Sequence, residues 1–346
     1  MAMKKTIVML LAILLLPLTC LAGGKKQGKT FTVLQWNIWQ EGTMVKGGYE
    51  AILNELERLR PDYVTFSEVR NYRDDFIARV CKDMAKRGVV YYGFRSDDTG
   101  LLSSTPITVH KTVFPLKDDH GSIYKLETKV CGRRLALYTS HLDYLNDTYY
   151  EVRGVDGNTF KEMEPLTDVD EILRRNALSM RDKAIANFLK EAKRDQERGF
   201  ITIIGGDFNE PSVQDWTEQT RDLYDHHGVV IAWPQTTALI KAGFNDCYRT
   251  VHPNVLTHPG FTFPSDNPDV DPNKLTWAPK SDERDRIDYL FFRGKGIKVT
   301  ECKLFGPEGN IAYAKRVPLG TDEPIITPLA TWPTDHKGVL ATFVVE

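Results

Sequence analysis

The chain has 346 residues, of which 41% are hydrophobic, 27% charged and 10% aromatic, and 45 Lys and Arg against 47 Asp and Glu give a formal charge of −2. This mixture and length exclude a fibrous, low-complexity or small disulfide-stapled protein, and admit one large or two ordinary domains. The near-zero charge excludes a bulk positive field that would hold a polyanion non-specifically.

Lys4 and Lys5, the apolar run at 7–16, Pro17 and the small residues at 19–24 have the order of a secretory signal, and the run is too short to span a bilayer. Export is expected, to a periplasmic, extracellular or surface-anchored location. Residues 1–22 are expected to be a signal peptide, 23–30 a flexible linker and 31–346 one domain; lipid attachment at Cys20 is the second option.

Residues 31–36 alternate, are rich in β-formers and break at Asn37, which predicts a strand. At 49–60, Ile52, Leu53, Leu56 and Leu59 recur at helical spacing until Pro61-Asp62 stops them. A strand at 63–66 runs on to Glu68, followed by a helix near 75–87, strands around 89–94 and 101–114, and a hairpin at 125–140 turning at Cys131-Gly132. Residues 144–167 are polar and aperiodic, which predicts an insertion or a long loop near a site. The longest helical pattern is 170–198, with Ile172, Leu173, Leu178, Ala184, Ile185, Phe188 and Leu189 inward. An apolar strand at 200–204 ends in Gly205-Gly206-Asp207, and 257–279, with five prolines, is expected to be a surface loop. Strands at 287–293 and 339–345 enclose an irregular stretch at 307–328.

Beyond Cys20, cysteines at 81, 131, 247 and 302 are scattered without a Cys-x-x-Cys pair, which excludes a zinc-finger pattern and suits buried apolar fillers. Strands and helices alternate without a Rossmann glycine fingerprint, so an α/β fold is expected.

Several predicted strands finish in residues that can chelate or donate: Trp36-Asn37, Ser67-Glu68, Ser140-His141-Leu142-Asp143 and Gly205-Gly206-Asp207-Phe208-Asn209. Asp285-Arg286-Ile287-Asp288-Tyr289 stands at a strand start, and Thr334-Asp335-His336 precedes the last strand. Layered α/β proteins align strand ends along one edge, so these segments can meet in one cleft. Singly, Asn37 reads as a turn residue, Glu68 as a solvated charge and His141 as a core histidine. Gly-Gly before Asp207 is more specific, because it implies a close backbone approach and sets Asp207 and Asn209 on one face.

Leu34-Gln-Trp-Asn37, Pro61-Asp-Tyr-Val-Thr-Phe-Ser-Glu68, Leu102-Ser-Ser-Thr-Pro-Ile107, Ser140-His-Leu142, Gly205-Gly-Asp-Phe-Asn209, Arg286-Ile-Asp-Tyr289 and Thr334-Asp-His336 together resemble the ordered signature of the endonuclease/exonuclease/phosphatase superfamily. The resemblance covers about residues 31 to 346. It implies an α/β fold, a four-layer α/β/β/α sandwich of two packed mixed sheets with outer helices. It also implies a phosphoester hydrolase that needs Mg²⁺ or Mn²⁺. On this resemblance Glu68 is the principal metal ligand, with Asn37 and Asp335 beside the ion, and Asp207 orients or activates the attacking water. Asn209 and His336 then donate to the phosphoryl oxygens, His141 contacts the phosphate or assists the leaving group, and Asp288 orients His336, with Asp285 as the competing partner. That chemistry needs a hard cation, a positioned water and donors aimed at the transition state.

Residues 144–167 contain only Arg153 and Lys161 as Lys or Arg, and no basic duplex-binding face is visible. The expected substrate is therefore a small phosphate ester, a phospholipid head group or a sugar phosphate, hydrolysed by a monomer. A secreted nuclease on the same residues is the alternative, with nucleic acid possible but not favoured, and membrane contact is expected only through a lipid anchor. A catalytically silent binding module is the third reading.

Overall fold

The computed structural model describes residues 28–346, so residues 1–27, with the signal segment and most of the expected linker, lie outside the described residues. The first half of the chain forms β1 (Lys29–Asn37), α1 (Gly48–Leu59), β2 (Tyr63–Val69), α2 (Phe76–Lys86), β3 (Tyr92–Gly93), β4 (Asp98–Ser103), β5 (Val109–Phe114), β6 (Gly121–Val130) and β7 (Arg133–Leu142). After them come α3 (Thr148–Val152), α4 (Val169–Asn176), α5 (Arg181–Glu197), β8 (Ile201–Asp207), α6 (Pro234–Lys241), β9 (Asn245–Asp246) and α7 (Cys247–Val251). The chain then runs through β10 (Asp288–Arg293), β11 (Ile297–Phe305), β12 (Asn310–Ala312), β13 (Lys315–Val317), β14 (Ile325–Ile326) and β15 (Gly338–Val345).

The strands build a seven-stranded sheet ordered β14-β11-β15-β1-β2-β4-β3 and a six-stranded sheet ordered β5-β6-β7-β8-β10-β9, while β12 and β13 form a separate ribbon. Both sheets are mixed: β1–β2 and β7–β8 run parallel, β1–β15 and β8–β10 antiparallel. Val33, Tyr63 and Leu101 of the first sheet meet Leu137, Ile203 and Leu290 of the second in one buried layer. Outside it, Ile52, Leu56 and Val80 of α1 and α2 pack on Trp36 and Phe66, and Ile185, Phe188 and Leu239 of α5 and α6 pack on Tyr138, Ile204 and Phe291. This is the expected four-layer sandwich. Each such side chain contributes roughly 2 kcal/mol of transfer free energy, more than an exposed ion pair, so the three apolar layers dominate its cohesion.

Near one end of the sandwich the inter-sheet layer turns polar. The Ser67 hydroxyl donates to Ser140 O (3.0 Å) and accepts from the Asp207 N–H (3.1 Å), tying β2 to β7 and β8. The two glycines of β8 make this approach possible. A Cβ on Gly205 would lie 2.3 Å from Thr65 Oγ1 of the facing sheet, and one on Gly206 would lie 2.3 Å from the Ser140 backbone oxygen. Backbone cannot step aside as a flexible side chain can, so Gly206→Ala is expected to destabilise the fold by about 3 kcal/mol. A lowered urea midpoint checks this; an unchanged midpoint would show that the strands can spread.

Several sequence expectations are corrected. The helical pattern at 170–198 splits after Asn176, because the Asn176 amide turns inward to Glu210 (2.7 Å) and Arg181 (2.6 Å), and Leu178 is 64% exposed instead of inward. The proline-rich 257–279 is a surface loop only in its second half: Phe261, Thr262, Phe263, Ser265 and Asn267 are buried and the backbone there pairs with Asp285, Asp335 and Lys337, whereas 268–274 lies at the surface. Residues 144–167 contain α3 and bury Tyr149, Tyr150 and Val152 on Trp216 and Ile172. The strand expected at 89–94 shrinks to β3, and that at 101–114 breaks at 104–108 between β4 and β5. β11, α6 and α7 were not anticipated, since β11 leaves Lys298, Glu301 and other polar residues along its exposed side.

Candidate active site

Strand register explains which side chains meet. His141 of β7 and Asp288 of β10 both stand directly opposite Asp207 of β8, so the three share one rung and one face. On the other sheet Asn37 of β1 stands opposite Ser67, and Glu68 is the extra residue of a bulge between Ser67 and Val69, with φ +65°. A bulge re-aims a side chain, and here it brings the Glu68 carboxylate to Asn37. Left-handed φ also occurs at Trp39, Gln40, Asp98 and Asn209, all around the same cleft. Such conformations in non-glycine residues cost about 1–3 kcal/mol each and persist where the surroundings enforce them.

Asn37 is the hub. Its Oδ1 accepts from the Trp39 N–H (3.0 Å), which directs Nδ2 toward Asp207 Oδ2 (2.9 Å) and Glu68 Oε1 (3.1 Å). The second Glu68 oxygen accepts from the Gln40 N–H (2.9 Å). Asp207 is flanked by two histidines, His336 Nε2 at 3.8 Å and His141 Nε2 at 3.9 Å. Each is oriented by an acid on its other nitrogen: His336 Nδ1 by Asp288 Oδ2 (2.9 Å) and His141 Nδ1 by Asp98 Oδ2 (2.8 Å). Asp285 is engaged elsewhere, accepting from Arg153 (2.7 Å) and the Trp216 indole (2.9 Å), so between the two candidate acids Asp288 holds His336.

Asn209 differs from the simplest reading of its amide. Its Nδ2 donates to Leu142 O (2.9 Å) and its N–H to Asp207 Oδ1 (2.9 Å), which fixes the ends of β7 and β8 and leaves one amide hydrogen for a phosphoryl oxygen.

Charges inside the cleft reinforce one another. Burial disfavours a charged His336 ring, but Asp288, Asp207 and Asp335 outweigh it and raise the ring to about 10. For His141 burial is likewise outweighed by Asp98, then Asp207 and Glu68, giving about 9. Asp207 is pushed up to about 6 by burial and by Asp288, against the pull of both histidines. Burial lifts Asp335 to about 7, with His336 lowering it and Glu68 raising it. With the rings charged, the 3.3 Å approach of Asn37 Nδ2 to His336 Nε2 sets donor against donor, so it is a hydrogen bond only in the neutral ring.

Asp207, Asp288 and His336 offer ligand atoms within 4.8 Å of one another, but Asp288 faces Gln35 Nε2 (3.4 Å) with one oxygen and His336 with the other, which makes it an orienting acid. Glu68 and Asp335 also line the cleft, whereas Asn37 turns its Nδ2, a hydrogen-bond donor, toward Glu68 and Asp207. Glu68 and Asp335 repel each other across a buried site, an excess of negative charge that a divalent cation would offset.

These groups line a cleft of about 260 Å³ that also exposes Arg70, Asp119, Tyr144, Trp39, Phe263 and Trp277. Phe263 packs on the His336 ring at 4.7 Å between centroids, which holds the first half of the proline-rich segment inside. Sequence reading missed Asp98 and Arg70, which pair at 2.9 Å. Asp98 had a usable signal in the acid pair Asp97-Asp98 heading an apolar strand, and Arg70 in its place two residues after Glu68.

A two-sheet sandwich carrying acids and histidines at its strand ends is the framework of a phosphoester hydrolase. Residues 34–336 match the Endonuclease/Exonuclease/phosphatase family, and the chain belongs to it. It is a metal-dependent hydrolase acting on phosphoric ester bonds. It is similar to an uncharacterized protein of Caenorhabditis elegans, 26% identical over 317 residues and 90% of either chain. Its fold is similar to truncated Caenorhabditis elegans TDP2 (18% identity, TM-score 0.51, covering 91% of this chain and 98% of that one). It is also similar to D. rerio TDP2 complexed with single strand DNA product (18%, 0.50, 91% and 98%) and to the human Nocturnin catalytic domain with bound sulfate anion (17%, 0.50, 92% and 95%).

Proposed function

We propose that this enzyme hydrolyses a small phosphodiester carrying one phosphate, such as the head-group ester of a phospholipid or a diester of a sugar phosphate, by in-line attack of water, and that it is exported. The observation that carries the reading is Asp207 set between two acid-oriented histidines, at 3.8 and 3.9 Å, on the same edge as Glu68 and Asn37. Asp207 orients the attacking water and takes its proton. His336 donates from Nε2 to a phosphoryl oxygen, the remaining amide hydrogen of Asn209 supports it, and His141 protonates the leaving oxygen. Glu68 and Asp335 would hold the cation, Mg²⁺ or Mn²⁺, with the Asn37 amide orienting the Glu68 carboxylate, and the ion would supply a Lewis acid that offsets oxyanion charge.

Charge supports a small substrate. Among the described residues lining the cleft, Glu68, Asp119, Asp147, Asp207 and Asp335 stand against the single guanidinium of Arg70. Arg70, two charged histidines and a divalent cation would only offset these five carboxylates, and no row of cations of the kind a polynucleotide needs lines the cleft. The test is a panel with Mg²⁺: bis-p-nitrophenyl phosphate, p-nitrophenyl phosphate, sphingomyelin and an oligonucleotide. A small diester is expected to turn over fastest. Faster cleavage of the oligonucleotide would replace this reading with the nuclease, and inertness toward the whole panel with the silent module.

A further inference from the structure

A groove of about 600 Å³ opens beside the catalytic cleft and shares two of its walls, Trp39 and Trp277. Its other lining residues include Met44, Asp269, Asp271, Asn273 and Lys274. Trp277 is 53% exposed and Met44 50%, large apolar side chains that a protein surface seldom leaves bare together. Trp277 is nevertheless firmly mounted. The buried Glu283 carboxylate accepts from the Trp277 and Ala278 N–H groups (3.1 Å each) and from the Thr276 hydroxyl. The indole lies on Phe160 at 4.6 Å between centroids, and Phe160 meets Tyr150 edge-on at 5.7 Å. Trp39, which also lines the groove, is fixed through the bond from its N–H to Asn37.

The chemistry of this lining narrows its occupant. A second phosphate would meet the carboxylates of Asp269 and Asp271, with Lys274 the one lining cation. A purely apolar chain would desolvate those carboxylates without bonding them. A sugar ring satisfies both demands, because its C–H face covers an indole while its hydroxyls donate to carboxylate and amide oxygens. We infer that the groove is the subsite for a sugar ring esterified to the scissile phosphate, with Trp39 and Trp277 taking its C–H faces and Asp269, Asp271 and Asn273 its hydroxyls. This rests on the phosphodiesterase reading above.

The test uses two p-nitrophenyl phosphodiesters with the same leaving group, one esterified to methanol and one to a hexose. The full enzyme is expected to favour the hexosyl ester in kcat/KM, and Trp277→Ala to reduce that preference by about tenfold, with Trp277→Phe between them. A wild-type enzyme without preference, or a preference unchanged in Trp277→Ala, overturns the subsite. Indole fluorescence titrated with hexose 1-phosphate gives a readout independent of turnover: a saturable change in the wild type that Trp277→Ala loses supports the subsite, and its absence in the wild type overturns it. Inertness toward both esters with a saturable fluorescence change would reject the phosphodiesterase reading and keep the sugar site.

Discussion

Asp207→Asn is expected to lower kcat by about 10³-fold, within the range for removing a positioned general base, and to leave the protein folded. The isosteric amide keeps an acceptor for the Asn209 N–H at the end of β8, above the apolar layers, but turns its own N–H₂ toward the Asn37 donor. It also removes a buried carboxylate facing Asp288. A carboxyl raised in the folded state binds more protons there than when unfolded, so its ionisation weakens the fold as pH rises past its ordinary value toward about 6. The gain from removing it opposes the loss of the Asn37 bond, so the Tm of the metal-free variant should compare better with that of the wild type at pH 7.5 than at pH 5. The pH profile gives the second signature. Wild-type kcat/KM should rise as Asp207 ionises near pH 6 and fall near pH 9 as His141 loses its proton, with a bound cation moving the acid limb lower. In Asp207→Asn the part of the acid limb near pH 6 should vanish, leaving the ionisation of Asp335 near 7. A variant that keeps wild-type turnover would remove Asp207 from the reaction.

The parts of this site that sequence could reveal are those where chemistry interrupts a pattern. Asn37, Glu68, His141 and Asp207 each end an apolar strand, and the Gly205-Gly206 pair announced a close approach that Thr65 of the facing sheet and Ser140 of the neighbouring strand make real. Pairing across the site was not legible. Asp98 reaches His141 from 43 positions away, and it does so where a bulge at Glu68 shifts the β2–β4 register, a local event without a residue code. Choosing between Asp285 and Asp288 likewise required register, because only the residue opposite Asp207 shares its face. The first half of the proline-rich segment misled for a physical reason. Its Asn, Asp and Pro resemble solvated turn residues, yet Asn267 donates to Trp332 O and Thr334 O, and the Ser265 N–H donates to Asp335 O, so the same polar groups anchor the strand-end turn that bears His336.

Chelation should silence the enzyme altogether, and Glu68→Gln should do so conditionally. The amide side chain retains an oxygen for the Gln40 N–H but loses the charge, and its own N–H₂ would face the Asn37 amide as a second donor. Even partners outside a metal's own ligands change affinity by about 10–100-fold, so removal of a ligand carboxylate is expected to raise the Mg²⁺ concentration for half-maximal activity by at least that factor. Excess Mg²⁺ or Mn²⁺ should then restore part of the turnover in Glu68→Gln and none in Asp207→Asn, since the first lesion lies in holding the ion and the second in the proton transfer. Binding to the folded state alone raises stability by mass action, so millimolar Mg²⁺ should raise the Tm of the wild type and of Asp207→Asn but not that of Glu68→Gln. Full activity after exhaustive EDTA treatment, or an unchanged Mg²⁺ dependence in Glu68→Gln, would move the ion away from Glu68 and leave the Asp207, Asp288 and His336 trio as the place to look for it.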